Sequence, residues 1–464
     1  MKLLPKTHIL SDRRYAGITL VTLCCAVISL IWTIAPSPVV ALILCALPLG
    51  VLFVINHMFG LVFLFVIFSF FRIHEVIPVL YPLKIPLLLS AGALLALAWH
   101  SVISKTLTPY WHPSLSWLVA FWVLILIGIA LASNRPIAIE YFKNIYWKIM
   151  VMTLAIIWIV NQAKYLSYIT LLINFSGLLV GSVAVYNSIN GIGLVEGSRV
   201  TIGRDIGSML GDPNDLALVL MFPLAFSIST FITKKNSLML RMFAIVISAI
   251  LIYSIIATQS RGGLLGTLAI FSVLALGKIR SKTLLFFLGI TVTLFLYFFA
   301  GISERASGGA AEIGVDASAM GRLYAWQAAF RMSLENPLTG VGLNNFYSNY
   351  FYYSSHWDGL NHAVHSTWFG VLAETGMLGL LVFISFIVSL IRTAKNTVNK
   401  VKTHTYPASV ETMANAVYAG LIGTVISGTF LTQGFNWPIY ILAALTICVA
   451  QIASQNENSK QDIL

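Results

Sequence analysis

Charged side chains are what this sequence has least of. Asp, Glu, Lys and Arg make up 9% of its 464 residues, against about 25% in a soluble globular chain. That scarcity excludes a soluble enzyme, whose surface needs ionic groups, and a disordered chain, which depends on them. Cysteine is scarce as well. Cys24, Cys25, Cys45 and Cys448 all fall inside apolar runs without metal-type spacing, so they read as small core residues and no disulfide framework is expected. Of the charged residues, acids are the rarer: 16 Asp and Glu against 28 Lys and Arg, a net charge of +12. In a soluble chain that excess would point to nucleic acid; here it reads as cationic loops that set topology and face lipid headgroups, with no nucleic-acid partner. Asp-x-Asp pairs and clustered histidines are missing too, so neither a metal nor another cofactor is expected.

What the chain does have is apolar length. Hydrophobic residues make up 58% of it and the mean hydropathy is +0.88. Fourteen spans of about 20 residues would use roughly 60% of such a chain. Apolar runs fall near 17–34, 38–55, 58–73, 84–99, 115–132, 145–161, 165–186, 214–233, 238–258, 261–277, 282–300, 365–391, 411–432 and 437–454. The runs at 58–73 and 84–99 are the doubtful pair. The expected fold is an all-α polytopic membrane protein of about 12–14 transmembrane helices. It divides into N-terminal helices (1–190), central helices with an arginine-bearing outer loop and span mouth (191–300), a large, partly helical outer loop (301–364) and C-terminal helices (365–464).

Orientation follows from the lysines. Lys2, Lys6, Arg13 and Arg14 precede the first run, which is long and lacks a small-x-small cleavage site, so it reads as a retained anchor. Lys234 and Lys235, then Lys278, Arg280 and Lys282, then Arg392, Lys395, Lys400 and Lys402 occupy alternate connections, which puts both termini in the cytoplasm. The long connections near 187–213 and 301–364 then face outward. No nucleotide is supplied on that side, so chemistry there needs a substrate that carries its own activation.

The outward polar residues are few. Arg261 stands in Ser260-Arg261-Gly262-Gly263, where the two glycines remove bulk beside a planar, permanently charged fork suited to phosphate oxygens. Arg204 can reach the same outer cavity, and Arg199 is the weaker candidate. Asp212 and Pro213 read as the N-cap and first residue of a span. Residues 316–336 read as a helix closed by Pro337, with Met320, Leu323, Trp326, Phe330 and Leu334 as its apolar stripe. On it Arg331 has Glu335 as an i+4 partner, whereas Arg322 has no carboxylate at that spacing and is the better ligand candidate. Residues 344–356 are rich in Asn and aromatics, as in an interfacial belt or a sugar-stacking wall. His365 lies at the outer mouth, where a neutral imidazole can accept a proton, and His362 is a secondary candidate. Glu374 falls on the opposite helix face from His365 and reads as pairing within the bundle.

These residues resemble the O-antigen ligase and polymerase superfamily of bacterial envelope glycan enzymes. The resemblance covers roughly 195–395. It rests on Arg204, Gly207 and Gly211 to Asn214, on the Ser-Arg-Gly turn at Arg261, and on His365-Ser366 followed after nine residues by Gly376 and Gly379. Gly321-Arg322 through Trp326 and the run from Asn336 to Gly342 are similar to that family's large periplasmic loop. The Asp-Pro-Asn-Asp continuation is also similar to O-glycosylation ligases associated with exosortase systems. The resemblance implies metal-independent glycan transfer on the periplasmic face of the bacterial inner membrane. The donor would be an undecaprenyl-diphosphate-linked glycan and the acceptor lipid A-core (ligase), another glycan (polymerase) or a protein hydroxyl (O-oligosaccharyltransferase). By the same resemblance Arg204 and Arg261 would hold the diphosphate, with Arg322 beside them, and His365 would be the general base or would orient the acceptor. The rival from another class is a lipid-linked glycan transporter, which would want its charges along a path open to both faces.

Overall fold

Helices supply all the regular structure among the described residues; the one β-like feature is an isolated bridge between Val195 and Arg199. The computed structural model describes residues 50–276, 317–357 and 359–461, with scattered positions before 50 and between 281 and 290. The basic N-terminus, most of the first apolar run, Cys24, Cys45, the loop bearing Lys278, Arg280 and Lys282, and the segment 301–316 lie outside the described residues.

The main helices are α1 (Met58–Phe70), α2 (Ile85–Ala98), α3 (Pro113–Ala130), α4 (Arg135–Ile159, with a π turn at Phe142–Tyr146), α5 (Ala163–Asn190), α6 (Pro213–Ile232), α7 (Leu238–Ala257), α8 (Arg261–Leu276), α9 (Ala317–Glu335), α10 (Phe346–Tyr353), α11 (Thr367–Thr403), α12 (Ala408–Ser427) and α13 (Trp437–Gln461). Eight helices among the described residues are long and apolar enough to cross a membrane, or nine if the bent pair Gly50–Asn56 and Met58–Phe70 is one span. The protein is an all-α multi-pass membrane protein.

The chain forms two units. One comprises Met1–Val62 and Leu87–Leu107; within it His100 Nε2 lies 2.8 Å from the Ile55 carbonyl. The other comprises Phe63–Pro86 and Thr108–Leu464 and contains every candidate site residue. At its centre α6 packs against α5, α7, α8 and α12, and α12 also packs against α8, α11 and α13. Lipid tails are as apolar as leucine, so helices in a bilayer associate through close backbone approach at small residues and not through hydrophobic exclusion. The crossing of α8 and α12 illustrates this. A Cβ on Gly266 would stand 2.9 Å from the Gly423 carbonyl oxygen, and one on Gly423 would stand 3.1 Å from that of Gly266. Gly263 likewise abuts the Ala217 methyl of α6, 2.5 Å from where its own Cβ would be. The Gly-Gly after Arg261 is therefore a packing device, which corrects the expectation that it clears room for an anion. Gly266→Val is expected to cost about 1–3 kcal/mol, the usual toll of overpacking. Its melting temperature in detergent should fall by several degrees, and an unchanged value would mean that α8 and α12 do not pack this closely.

Two further expectations are corrected. Helix α9 buries Ala325, Ala328, Ala329 and Met332 against α11; of the foreseen stripe Trp326 packs on that core, while Leu323, Phe330 and Leu334 are half exposed. Cys448 is a core residue, but Cys25 is exposed.

Helix polarity separates the two ends of this unit. At one end the connections 191–212, 258–260, 354–366 and 428–436 meet. At the other, Lys235 pairs with Glu411 at 3.2 Å and donates to the Tyr406 carbonyl at 3.0 Å.

Candidate functional site

The site is built from four connections at the first of these ends. The one between α5 and α6 is pinned by Arg199, which is 3% exposed. Its guanidinium donates to the Thr258 carbonyl (3.1 Å) and to Asn214 Oδ1 (3.3 Å) and pairs with Glu196 at 3.7 Å. Val200 N–H adds a bond to the Ala257 carbonyl at 3.0 Å. Arg199 thus staples this loop to the end of α7. Beyond it, Gly203 (φ +64°) and Gly207 (φ +68°) bracket a short 3-10 turn, Arg204–Ile206, that leaves Arg204 exposed. Gly211 lies under that turn, where a Cβ would come 3.0 Å from Arg204 Cα. As foreseen, Asp212 caps α6, accepting from the Asn214 and Asp215 N–H groups at 2.7 and 3.3 Å with Pro213 in the first turn.

Asn214 is the joint between motifs. The Oδ1 that takes the Arg199 bond also accepts from Ser260 Oγ at 2.9 Å, coupling the Asp-Pro-Asn stretch to the Ser-Arg-Gly turn. Ser260 Oγ accepts in turn from Gly263 N–H at 3.3 Å, capping α8 so that half-buried Arg261 is its first residue. Gln259, just before, has φ +50°.

The histidine motif comes in from the other side. His365 is not on a helix. It has φ +43° and precedes Ser366, whose hydroxyl caps α11, so His365 and Glu374 do not share one helix as expected. Trp326 of α9 donates to the Val364 carbonyl at 3.1 Å and stacks on Phe369 at 5.1 Å, tying α9 and its Arg322 to the motif. Tyr350 meets the His362 ring edge-on at 5.3 Å. Thr367 anchors the 428–433 connection: its N–H donates to the Gly428 carbonyl (2.7 Å) and its hydroxyl to that of Leu431 (2.7 Å). Leu431 and Phe430 also lie against Gly262, which links the histidine and arginine motifs through a segment that the sequence reading passed over. Burial, and then the nearby Arg322 guanidinium, hold the His365 imidazole below its ordinary value. Asp212 opposes that shift and His362 adds to it. Arg322, His362 and Asp212 are therefore each within electrostatic reach of His365, and burial favours the neutral form of its imidazole.

Beneath the motif, α11 is broken at Gly376 (φ +72°, ψ −175°). A continuous helix of its 37 residues would measure about 55 Å, far more than a hydrocarbon core of about 30 Å. The 336–346 loop docks on the break. Pro337 O accepts from Met377 N–H at 2.8 Å, the Val341 N–H donates to the Ala373 carbonyl at 2.8 Å, and buried Glu374 accepts from the N–H groups of Asn344 (2.7 Å) and Phe346 (3.3 Å). Gly376 thus receives a loop, and Glu374 holds that loop's backbone. Arg331 and Glu335, expected to pair with each other, both turn to Tyr353, at 3.3 Å to its carbonyl and 2.8 Å from its hydroxyl. Of the aromatics at 346–353, Phe346 and Tyr350 are core residues, while Tyr347, Phe351 and Tyr352 are exposed.

Sequence reasoning also missed Glu75, buried and paired with Arg72 at 2.9 Å, which accepts from Ser208 Oγ at 2.6 Å and so steadies the Arg204 loop. No periodicity or motif marks it; a buried acid in an apolar stretch was the available signal. Among the described residues no group of three or more His, Cys, Asp or Glu could hold a metal ion.

Residues 246–384 match the family model of O-antigen ligase. The match begins within α7, takes in Arg261, Arg322 and His365, and ends in α11. No curated protein matches the chain.

Proposed function

We propose, from the match of residues 246–384 to the family model of O-antigen ligase, that this chain is a periplasm-facing, metal-independent glycosyltransferase of the O-antigen ligase superfamily. It transfers a glycan from undecaprenyl diphosphate to an acceptor hydroxyl of lipid A-core in the bacterial inner membrane. The observation that carries this reading is the joining of the motifs at one end: Asn214 bonded to Ser260, and Asp212 and Arg322 within electrostatic reach of His365. The connection bearing Lys234 and Lys235 and the end of α11 bearing Lys400 and Lys402 lie at the opposite end, which under the positive-inside rule is cytoplasmic.

In the proposed reaction the acceptor hydroxyl gives its proton to neutral His365 as its oxygen bonds to the anomeric carbon. The bond from that carbon to the phosphate oxygen breaks, and the diphosphate leaves with the electron pair. Arg261, at the positive end of α8, together with Arg204 and Arg322, stabilises the charge that develops there. Arg199 is occupied inside the fold and has a positioning role. His362, against Tyr350, borders His365 and shapes its electrostatics.

The test is reconstitution in liposomes with an undecaprenyl-diphosphate glycan and separate acceptors, free of metal and nucleotide. Transfer to lipid A-core is expected. Transfer only to a second glycan or to a protein hydroxyl would make the protein a polymerase or an O-oligosaccharyltransferase. Movement of donor between leaflets without transfer would make it a transporter. Arg261→Ala should lower the rate about 10²–10³-fold, as loss of a preorganised charge-stabilising group does, and full activity would remove it from the reaction.

The acid limb of the rate gives a separate check. A lowered His365 value keeps the base form populated as the pH falls, so the limb should lie below about 6.5, the ordinary histidine value. Arg322→Ala removes a cation that disfavours imidazolium and should move the limb upward. A downward or absent shift would separate His365 from proton transfer.

A further inference from the structure

The end of the bundle opposite the motifs contains a cavity that the proposed reaction does not use. Its volume is roughly 470 Å³, and it lies where the last residues of α6 and α11 and the first turns of α12 meet the distal part of α8. One wall is aliphatic: Ile232, Val273, Leu274, Val398 and Val401. The rest of the lining is polar and basic, with Lys402 and His404 from the end of α11 and Lys235 from the loop after α6. Glu411, its one acid, is already paired with Lys235 at 3.2 Å. Lys234 and Lys400 stand beside the lining residues in sequence, so the local charge is strongly positive.

We propose that this cavity is a binding site for an anionic phospholipid of the adjacent leaflet, with the phosphate at Lys402 and Lys235 and one acyl chain along the aliphatic wall. Each half of the lining excludes a simpler occupant. A free inorganic anion would leave the aliphatic side of the cavity unfilled, with Ile232 and Val273 partly exposed to it. A neutral or zwitterionic amphiphile would gain nothing from a lining of net positive charge, whereas an anionic headgroup gains from each basic residue near the surface. A lipid phosphate meets both requirements, because its charge and its hydrocarbon enter at the depths where the residues change character. The ligand would also tie α6, α11 and α12 together at the end where Lys235 pairs with Glu411 and Asn236 donates to Thr412 Oγ1 at 3.1 Å.

The experiment is native mass spectrometry of the full chain, extracted in mild detergent and exchanged against phosphatidylglycerol, phosphatidylcholine or inorganic phosphate. Phosphatidylglycerol should be retained at a stoichiometry near one, and phosphatidylcholine should not. Lys402→Ala should weaken retention roughly fivefold, the contribution of one basic residue at an anionic surface. Val273→Trp, which fills the apolar wall and leaves the charges in place, should abolish retention. Equal retention of the two lipids, competition by inorganic phosphate, or an unchanged bound fraction in both variants would overturn the proposal. The readout is independent of glycan transfer, so its failure and that of the proposed function are distinguishable.

Discussion

Replacing His365 by glycine is expected to abolish transfer while leaving a protein that melts above the corresponding alanine variant. The residue has φ +43°, where a Cβ crowds the following carbonyl and a residue other than glycine is held at a cost of about 1–2 kcal/mol. Strain of this kind persists where the surroundings over-determine the backbone and tends to collect at working sites. Here the surroundings are identifiable: Trp326 holds the Val364 carbonyl on one side, and on the other Thr367 is bonded to Gly428 and Leu431. His365→Ala removes the imidazole and keeps the strain, whereas His365→Gly removes both. Loss of a general base should lower the transfer rate about 10²–10⁴-fold in either variant. Activity surviving in the alanine variant would dismiss the base, and a glycine variant melting below it would dismiss the strain. The comparison keeps the two roles apart, which a single substitution would not.

Gly340→Ala should have the largest effect on the fold. At φ +63° its new Cβ would meet three backbone atoms of the α11 break: the Ala373 carbonyl oxygen, Glu374 C at 2.5 Å and Thr375 N at 2.5 Å. Flexible side chains yield to such contacts, but a hydrogen-bonded backbone does not. Undocking would strip Glu374 of the Asn344 and Phe346 N–H groups and leave a buried carboxylate uncompensated. The expected loss exceeds about 3 kcal/mol, in the range reserved for strain and broken buried networks. It should appear as faster amide exchange at Asn344 and Phe346 and as lost transfer, since the same α11 segment follows His365. Glu374→Ala should show the same exchange pattern without touching Gly340. Protection retained in both variants would mean that the loop is held by other means.

The residues legible from sequence share one property: their chemistry is local. Asp212 and Pro213 announced the start of α6 because an N-cap and a first-turn proline satisfy groups within three residues of themselves. The helix before Pro337 was marked by a proline that cannot continue it. Composition alone identified a membrane protein. The side of α9 that packs was misread for a physical reason. The alanines pack closest to α11 because small side chains allow close approach, and Trp326 alone of the large stripe residues joins them, while Leu323, Phe330 and Leu334 stay half exposed. Gly262 and Gly263 were misread because between apolar helices in a bilayer small residues set how closely backbones approach.

The sequence by itself determined that this chain crosses a membrane repeatedly, where several helices begin and end, and which few outward arginines and histidines carry charge worth explaining. Tertiary structure alone decided which of them meet. Arg199 proved to be a staple because the Thr258 carbonyl lies 3.1 Å from it across 59 positions of chain. Glu374 holds a loop because the backbone of that loop arrives from 30 positions upstream. His365 stands in reach of Asp212 and Arg322 because α11 begins after it and Trp326 and Thr367 pin the connection on either side. Capping and hydropathy act over one helical turn and can be read along the chain. Hydrogen bonds between connections depend on how the helices pack, and that is settled only when every small residue has found its neighbour.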